Sequence, residues 1–111
     1  MILTNFIKNV VYYKQDAYDD LNAIFYGLIM WTKHPLDPEH ATRYVNDIEE
    51  VCDTLDSKSY HQRALYNIHK KYGDYVHRYK RTHNTCWYII YNKDLFYNVF
   101  IERIMNNYMT V

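Results

Sequence analysis

The sequence predicts an α+β domain in the order β-α-α-β-β-β, with a two-helix antiparallel hairpin packed on one face of a mainly antiparallel sheet. Three observations lead there. Two stretches in the first half carry apolar residues at helical spacing. Three β-branched and aromatic runs, separated by turn residues, fill the last third. A further strand-like run opens the chain, where ILTNFIKNVVYY mixes β-branched and aromatic residues.

Each element has its own signal. Within the opening run, Asn9–Tyr13 reads as a strand. Asp16 is the expected N-cap of the first helix, with Asp19 and Asp20 in its first turn, where acids favour the helix dipole. Leu21, Ile24, Phe25, Leu28 and Trp31 then form one apolar face, and Thr32-Lys33-His34-Pro35 ends the helix. The second helix begins more sharply: Asp37 caps, Pro38 takes the first helical position and Glu39 follows. Ala41, Tyr44, Val45, Ile48, Val51, Cys52 and Leu55 continue at helical spacing. The short connection predicts that the helices pack as a hairpin.

Residues 57–74 are the least patterned; Ala64, Leu65, Tyr66 and Ile68 suit a short helix or a strand. Gly73-Asp74 marks a turn. The runs Tyr75–Arg81, Trp87–Tyr91 and Phe96–Ile104 follow as an antiparallel meander, and the opening strand completes a four-stranded sheet. The helices must bury their apolar stripes on one sheet face, leaving the other for solvent or a ligand.

The 111 residues fit one domain spanning residues 1–111. At this size roughly two thirds of the unfolded surface is buried, and 49% hydrophobic residues argue against disorder. The opening run is too short and too interrupted for a signal peptide or membrane span, so a cytoplasmic location with no membrane partner is expected. Two distant cysteines without a CxxC spacing indicate neither a disulfide framework nor a metal site. Six scattered histidines form no HxH or HExxH arrangement, so no metal and no cofactor is expected. Glycine loops that cradle phosphates are absent, and nothing marks a nucleophilic serine or cysteine.

Charge is balanced overall, 13 basic against 13 acidic residues, but segregated along the chain. Lys70, Lys71, Arg78, Lys80 and Arg81 face only Asp74 within residues 70–81, with His77 and His83 close by. Strand alternation sends Arg78 and Lys80 one way, and Tyr79 and Arg81 the other. Guanidinium groups match phosphate geometry, and tyrosines stack bases. Metal-free RNA cleavage needs a base for the ribose 2′-hydroxyl, an acid for the leaving oxygen and cations for the phosphate; His77, His83 and Tyr108 are candidates for the proton transfers. A solvated, charged strand that guards a sheet edge from aggregation explains the same residues.

The run HRYKRTHNTCWYIIYNKDLFYNVFIERIMNNY, with DAYDDLNAIFYGLI and ATRYVNDIEEVCDTL before it, resembles the RelE/ParE superfamily of bacterial type II toxins. The resemblance covers essentially the whole chain and is strongest from the basic strand through WYIIY to Asn106-Asn107-Tyr108. It implies a growth-inhibiting toxin, of the kind that stabilises plasmids, neutralised by a cognate antitoxin protein. RelE-type members cleave mRNA on the ribosome as endoribonucleases; ParE-type members inhibit DNA gyrase by binding. On the first reading, the resemblance implies catalytic roles for Arg81 or Arg78 and for Tyr108, and His83 stays beside Tyr108 as the candidate the residues themselves offer for proton transfer. Lys80, His77, Lys70 and Lys71 would bind RNA. Asn106-Asn107 stands where some members carry an arginine, and the neutral net charge differs from strongly basic nuclease members.

Overall fold

The computed structural model describes residues 10–106. Asn9, the expected start of the first strand, and Tyr108 lie outside these residues. The elements are β1 (Val11–Tyr13), α1 (Gln15–Ile29), α2 (Pro38–Asp53), a 3-10 turn (Leu55–Ser57), α3 (Asn67–Lys70), β2 (Tyr75–Lys80), β3 (Cys86–Lys93) and β4 (Val99–Asn106). They form an α+β domain with a four-stranded mixed sheet in the order β1-β4-β3-β2. β1 runs parallel to β4, and the other pairs are antiparallel.

α1 begins two residues earlier than the acidic residues suggest. Lys14, not Asp16, occupies the cap position, with extended backbone and no side-chain cap; Asp16 lies in the first turn. The cause is tertiary. The Lys14 N–H donates to the Ile101 carbonyl at 2.9 Å, which prolongs β1 up to the cap, and the Lys14 carbonyl then accepts from Ala17 and Tyr18. The helix stops at Ile29, so Trp31 falls outside it and its ring meets His34 edge-on at 5.5 Å. α2 starts as its sequence signals: the Asp37 carboxylate accepts from the His40 N–H at 2.8 Å, and Pro38 is the first helical residue.

Ala17 and Leu21 of α1 meet Val45, Ile48 and Cys52 of α2 over Trp87, Ile89, Tyr91, Val99, Ile101 and Ile104 of the sheet. This is the main core. A β-bulge tunes it: Ile90 pairs with Arg103 but Tyr91 pairs with Ile101, so Glu102 is an extra residue in β4. Without it, strand alternation would put Ile101 and Ile104 on opposite faces; with it both enter the same core. β4 starts at Val99 rather than Phe96 because Asp94 accepts from the N–H groups of Phe96 and Asn98 and folds those residues into a turn.

The second sheet face is not left open, contrary to the expectation. Residues 62–64 pair with the outer edge of β2, where Val76 N–H donates to Gln62 at 2.9 Å and Ala64 N–H donates to Asp74 at 2.8 Å. The chain thereby crosses to the far face. There Ala64, Val76, Ile90 and Met105 form a smaller core with Ile68, Tyr72 and Tyr88. Gly73 makes the return close: a Cβ there would lie 3.0 Å from both the Ile90 side chain and the Tyr91 carbonyl oxygen.

Candidate nucleic-acid surface

β2 distributes its basic residues to both faces of the sheet. On the helix side, Arg81 follows the strand and is already engaged. Its Nη1 lies 2.6 Å from Asp47 of α2 and 3.4 Å from the Tyr79 hydroxyl, and its guanidinium sits 3.9 Å from the Tyr44 ring centroid. The Tyr44 hydroxyl in turn accepts from the Trp87 indole at 3.0 Å. Arg78 lies on the far face with Val76 and Tyr88, exposed, where a hydrogen bond to Cys86 holds its pKa above the ordinary arginine value. Arg78 and Arg81 therefore do not converge on one phosphate position.

The remaining expected residues divide likewise. Lys80 is exposed at the end of β2, and His83 is exposed in the turn that follows. Lys70 closes α3, and the Lys71 ammonium sits 5.0 Å from the Tyr72 ring on the far side. His77 belongs to the helix side, half-buried, with its Nδ1 2.8 Å from the Lys58 ammonium. An ammonium only donates, so Nδ1 is the acceptor and the imidazole is neutral. Burial and the Lys58 charge both push the His77 pKa down.

Beside this pair lies a second imidazole. His61 Nδ1 shares a 2.7 Å hydrogen bond with the Tyr91 hydroxyl, and its ring meets Tyr75 and Tyr91 edge-on. Burial first, then the charge of Lys93, lowers the His61 pKa, while burial raises the Tyr91 hydroxyl to about 12. Arg63 and Lys93 both approach the Tyr75 ring, at 5.3 and 5.4 Å. The ion pairs among the described residues are His40–Asp37, Arg43–Glu39, Arg81–Asp47 and Arg103–Asp20, so no carboxylate pairs with Lys58, Arg63 or Lys93 there. Three cations, two neutral imidazoles and two stacked tyrosines thus gather at one end of the sheet, a combination suited to a phosphate and to proton transfer.

Lys58, His61, Arg63 and Lys93 were not among the residues singled out from the sequence. Alternation along β2 does place Tyr75 and His77 on one side. Lys58, His61 and Arg63 come from the unpatterned segment after α2, where no periodicity announces a position, and Lys93 closes β3. Among the described residues no group of three or more histidine, cysteine or acidic side chains is arranged to hold a metal ion. No described helix is long and apolar enough to cross a membrane.

No protein-family model, curated protein or solved structure matches this chain.

Proposed function

We propose that the chain is the toxin of a type II toxin–antitoxin pair and acts as a metal-independent endoribonuclease on ribosome-bound mRNA, with a cognate antitoxin as its inhibitor. The observation that carries the nuclease reading is the Lys58–His77 contact at 2.8 Å, flanked by Arg63 and Lys93, which have no carboxylate partner among the described residues. The toxin reading rests on the sequence resemblance, with which a general α+β fold is compatible.

The chemistry follows from the pair. A substrate phosphate draws the Lys58 ammonium and releases Nδ1 of His77 as an acceptor. His77 takes the proton of the ribose 2′-hydroxyl, the 2′-oxygen attacks phosphorus, and the bond from phosphorus to the 5′-oxygen breaks. Lys58 gives the leaving oxygen its proton, and a proton passes from His77 to Lys58 to restore both. Arg63 and Lys93 offset the charge that builds on the phosphate. The products are a 2′,3′-cyclic phosphate and a 5′-hydroxyl.

The test is cleavage of end-labelled mRNA on purified ribosomes in excess EDTA, with product ends analysed. Cleavage that survives EDTA and falls by about 100-fold or more in His77→Gln supports the reading. Intact RNA, with growth arrest and loss of DNA supercoiling, would favour the second reading, a gyrase-binding toxin. Two observations favour that alternative: Arg81 is neutralised by Asp47, and an apolar groove of about 410 Å³ lined by Leu28, Trp31, Tyr44 and Trp87 lies nearby.

A further inference from the structure

His69 is the only buried polar or charged residue among those described, 3% exposed. Both of its ring nitrogens lack a hydrogen-bond partner there. Native proteins rarely leave a buried donor and acceptor unanswered, and such a group calls for a partner that the fold itself does not supply. Burial pushes the His69 pKa down, so the ring offers one donor and one acceptor rather than a charge.

Its surroundings define what fits. His69 lies 4.9 Å from the Tyr88 ring, tilted by 33°, and meets Tyr66 edge-on at 6.0 Å. Together with Ile68 these side chains line a cleft of about 240 Å³. The cleft adjoins a smaller one that shares Tyr66, His69 and Tyr88 and is bordered by Arg63 and Arg78. A purely aliphatic ligand would leave the imidazole nitrogens unmade. A bare anion would meet a neutral ring and apolar walls. A flat heteroaromatic ring bearing a phosphate satisfies the walls, the nitrogens and the guanidinium together.

We propose that this cleft holds one base of single-stranded RNA between Tyr66 and Tyr88, with its polar edge on His69 and its phosphate on Arg78. The inference rests on the preceding proposal only for the choice of RNA; its residues lie on the other face of the sheet. Arg63 joins the two faces, bordering the smaller adjoining cleft while lying over the Tyr75 ring on the helix side. A strand seated in the cleft therefore has a cation at the β2 edge to follow. A free nucleoside monophosphate carries the same chemistry.

The experiment is fluorescence anisotropy with 2′-O-methyl oligonucleotides, which this chemistry does not cleave, against the same backbone with abasic positions, with AMP and UMP as competitors. Base-bearing strands are expected to bind about ten-fold tighter than abasic ones. His69→Phe, which keeps the ring packing and removes both nitrogens, should cut that preference several-fold; Arg78→Ala should weaken both probes alike. Competition by AMP or UMP at comparable concentration would identify a nucleotide site; failure to compete, with the strand preference intact, would identify an RNA site. Equal affinity for base-bearing and abasic strands, or an unchanged preference in His69→Phe, overturns the inference. If His69→Phe fails to fold, the wild-type His69 ring nitrogen resonances decide: they shift with the base-bearing strand if the inference holds and stay in place if it fails. Base-selective binding without any cleavage leaves this inference standing and removes the nuclease reading.

Discussion

The Asp20 carboxylate takes the place of a missing strand beside Ile104. Its Oδ2 accepts from the Ile104 N–H at 2.8 Å and from Arg103 Nε at 2.7 Å, while Oδ1 accepts from Arg103 Nη2 at 3.0 Å. β1 pairs with β4 only through Ile101. Beyond that point α1 swings across the strand and lends a side chain to its edge. The Asp20 side chain is 11% exposed, so the contact is shielded from water and salt.

Asp20→Ala is therefore expected to cost about 3 kcal/mol, since it strands a shielded guanidinium and an edge amide at once. Asp20→Asn keeps an acceptor for the amide and should fall between. Urea unfolding midpoints measure both. A loss under about 1 kcal/mol would mean that water serves the Ile104 amide equally well.

Asp47 holds Arg81 through a half-exposed ion pair, so Asp47→Ala should change stability by only about 1 kcal/mol or less. Its effect on the proposed RNA binding should be larger. With Arg81 no longer neutralised, binding at low salt should strengthen, and the salt dependence should steepen by about one phosphate contact. Anisotropy titrations across a salt series read the slope. An unchanged slope would show that Arg81 serves only to tie β2 to α2.

His61, His69 and His77 all have pKa values held below the ordinary histidine value of 6.5, each mainly by burial. The unfolded chain then binds more protons than the folded one between those lowered values and 6.5, so stability rises with pH across that window. It is fully present above 6.5 and is lost on acidification. Thermal midpoints between pH 5 and 7.5 should climb accordingly, and His77→Gln should flatten part of the rise. A midpoint that falls with pH in this range would contradict the burial of these rings.

Cys52 is fully buried against both helices and the sheet, and burial pushes its thiol up to about 12. Cys86 is half-buried at the start of β3. Iodoacetamide at neutral pH should label Cys86 first, with Cys52 reacting only as fast as the chain unfolds. Mass spectrometry of a time course resolves the two; equal rates would show that the core around Cys52 opens readily.

Much of this molecule is local. Asp37-Pro38-Glu39 starts α2 because a cap and a proline act within a single turn, and His40 lies three residues from its acceptor. Alternation along β2 already separates Arg78 from Arg81, because successive side chains of any strand leave opposite faces. The meander of β2, β3 and β4 follows from short apolar runs between turns.

What sequence spacing could not supply depends on residues far apart in the chain. The start of α1 is set by Ile101, which holds Lys14 in the sheet. Arg81 is captured by an acid 34 residues earlier, and His77 by Lys58 19 residues earlier. The second sheet face is covered by the segment with the weakest pattern, and the unanswered nitrogens of His69 exist only once that segment is folded down. Periodicity records which side of an element is apolar, because that preference is written every two or four residues. It does not record which polar groups meet across the fold, because an ion pair or a lone imidazole depends on two distant positions and on the water excluded between them.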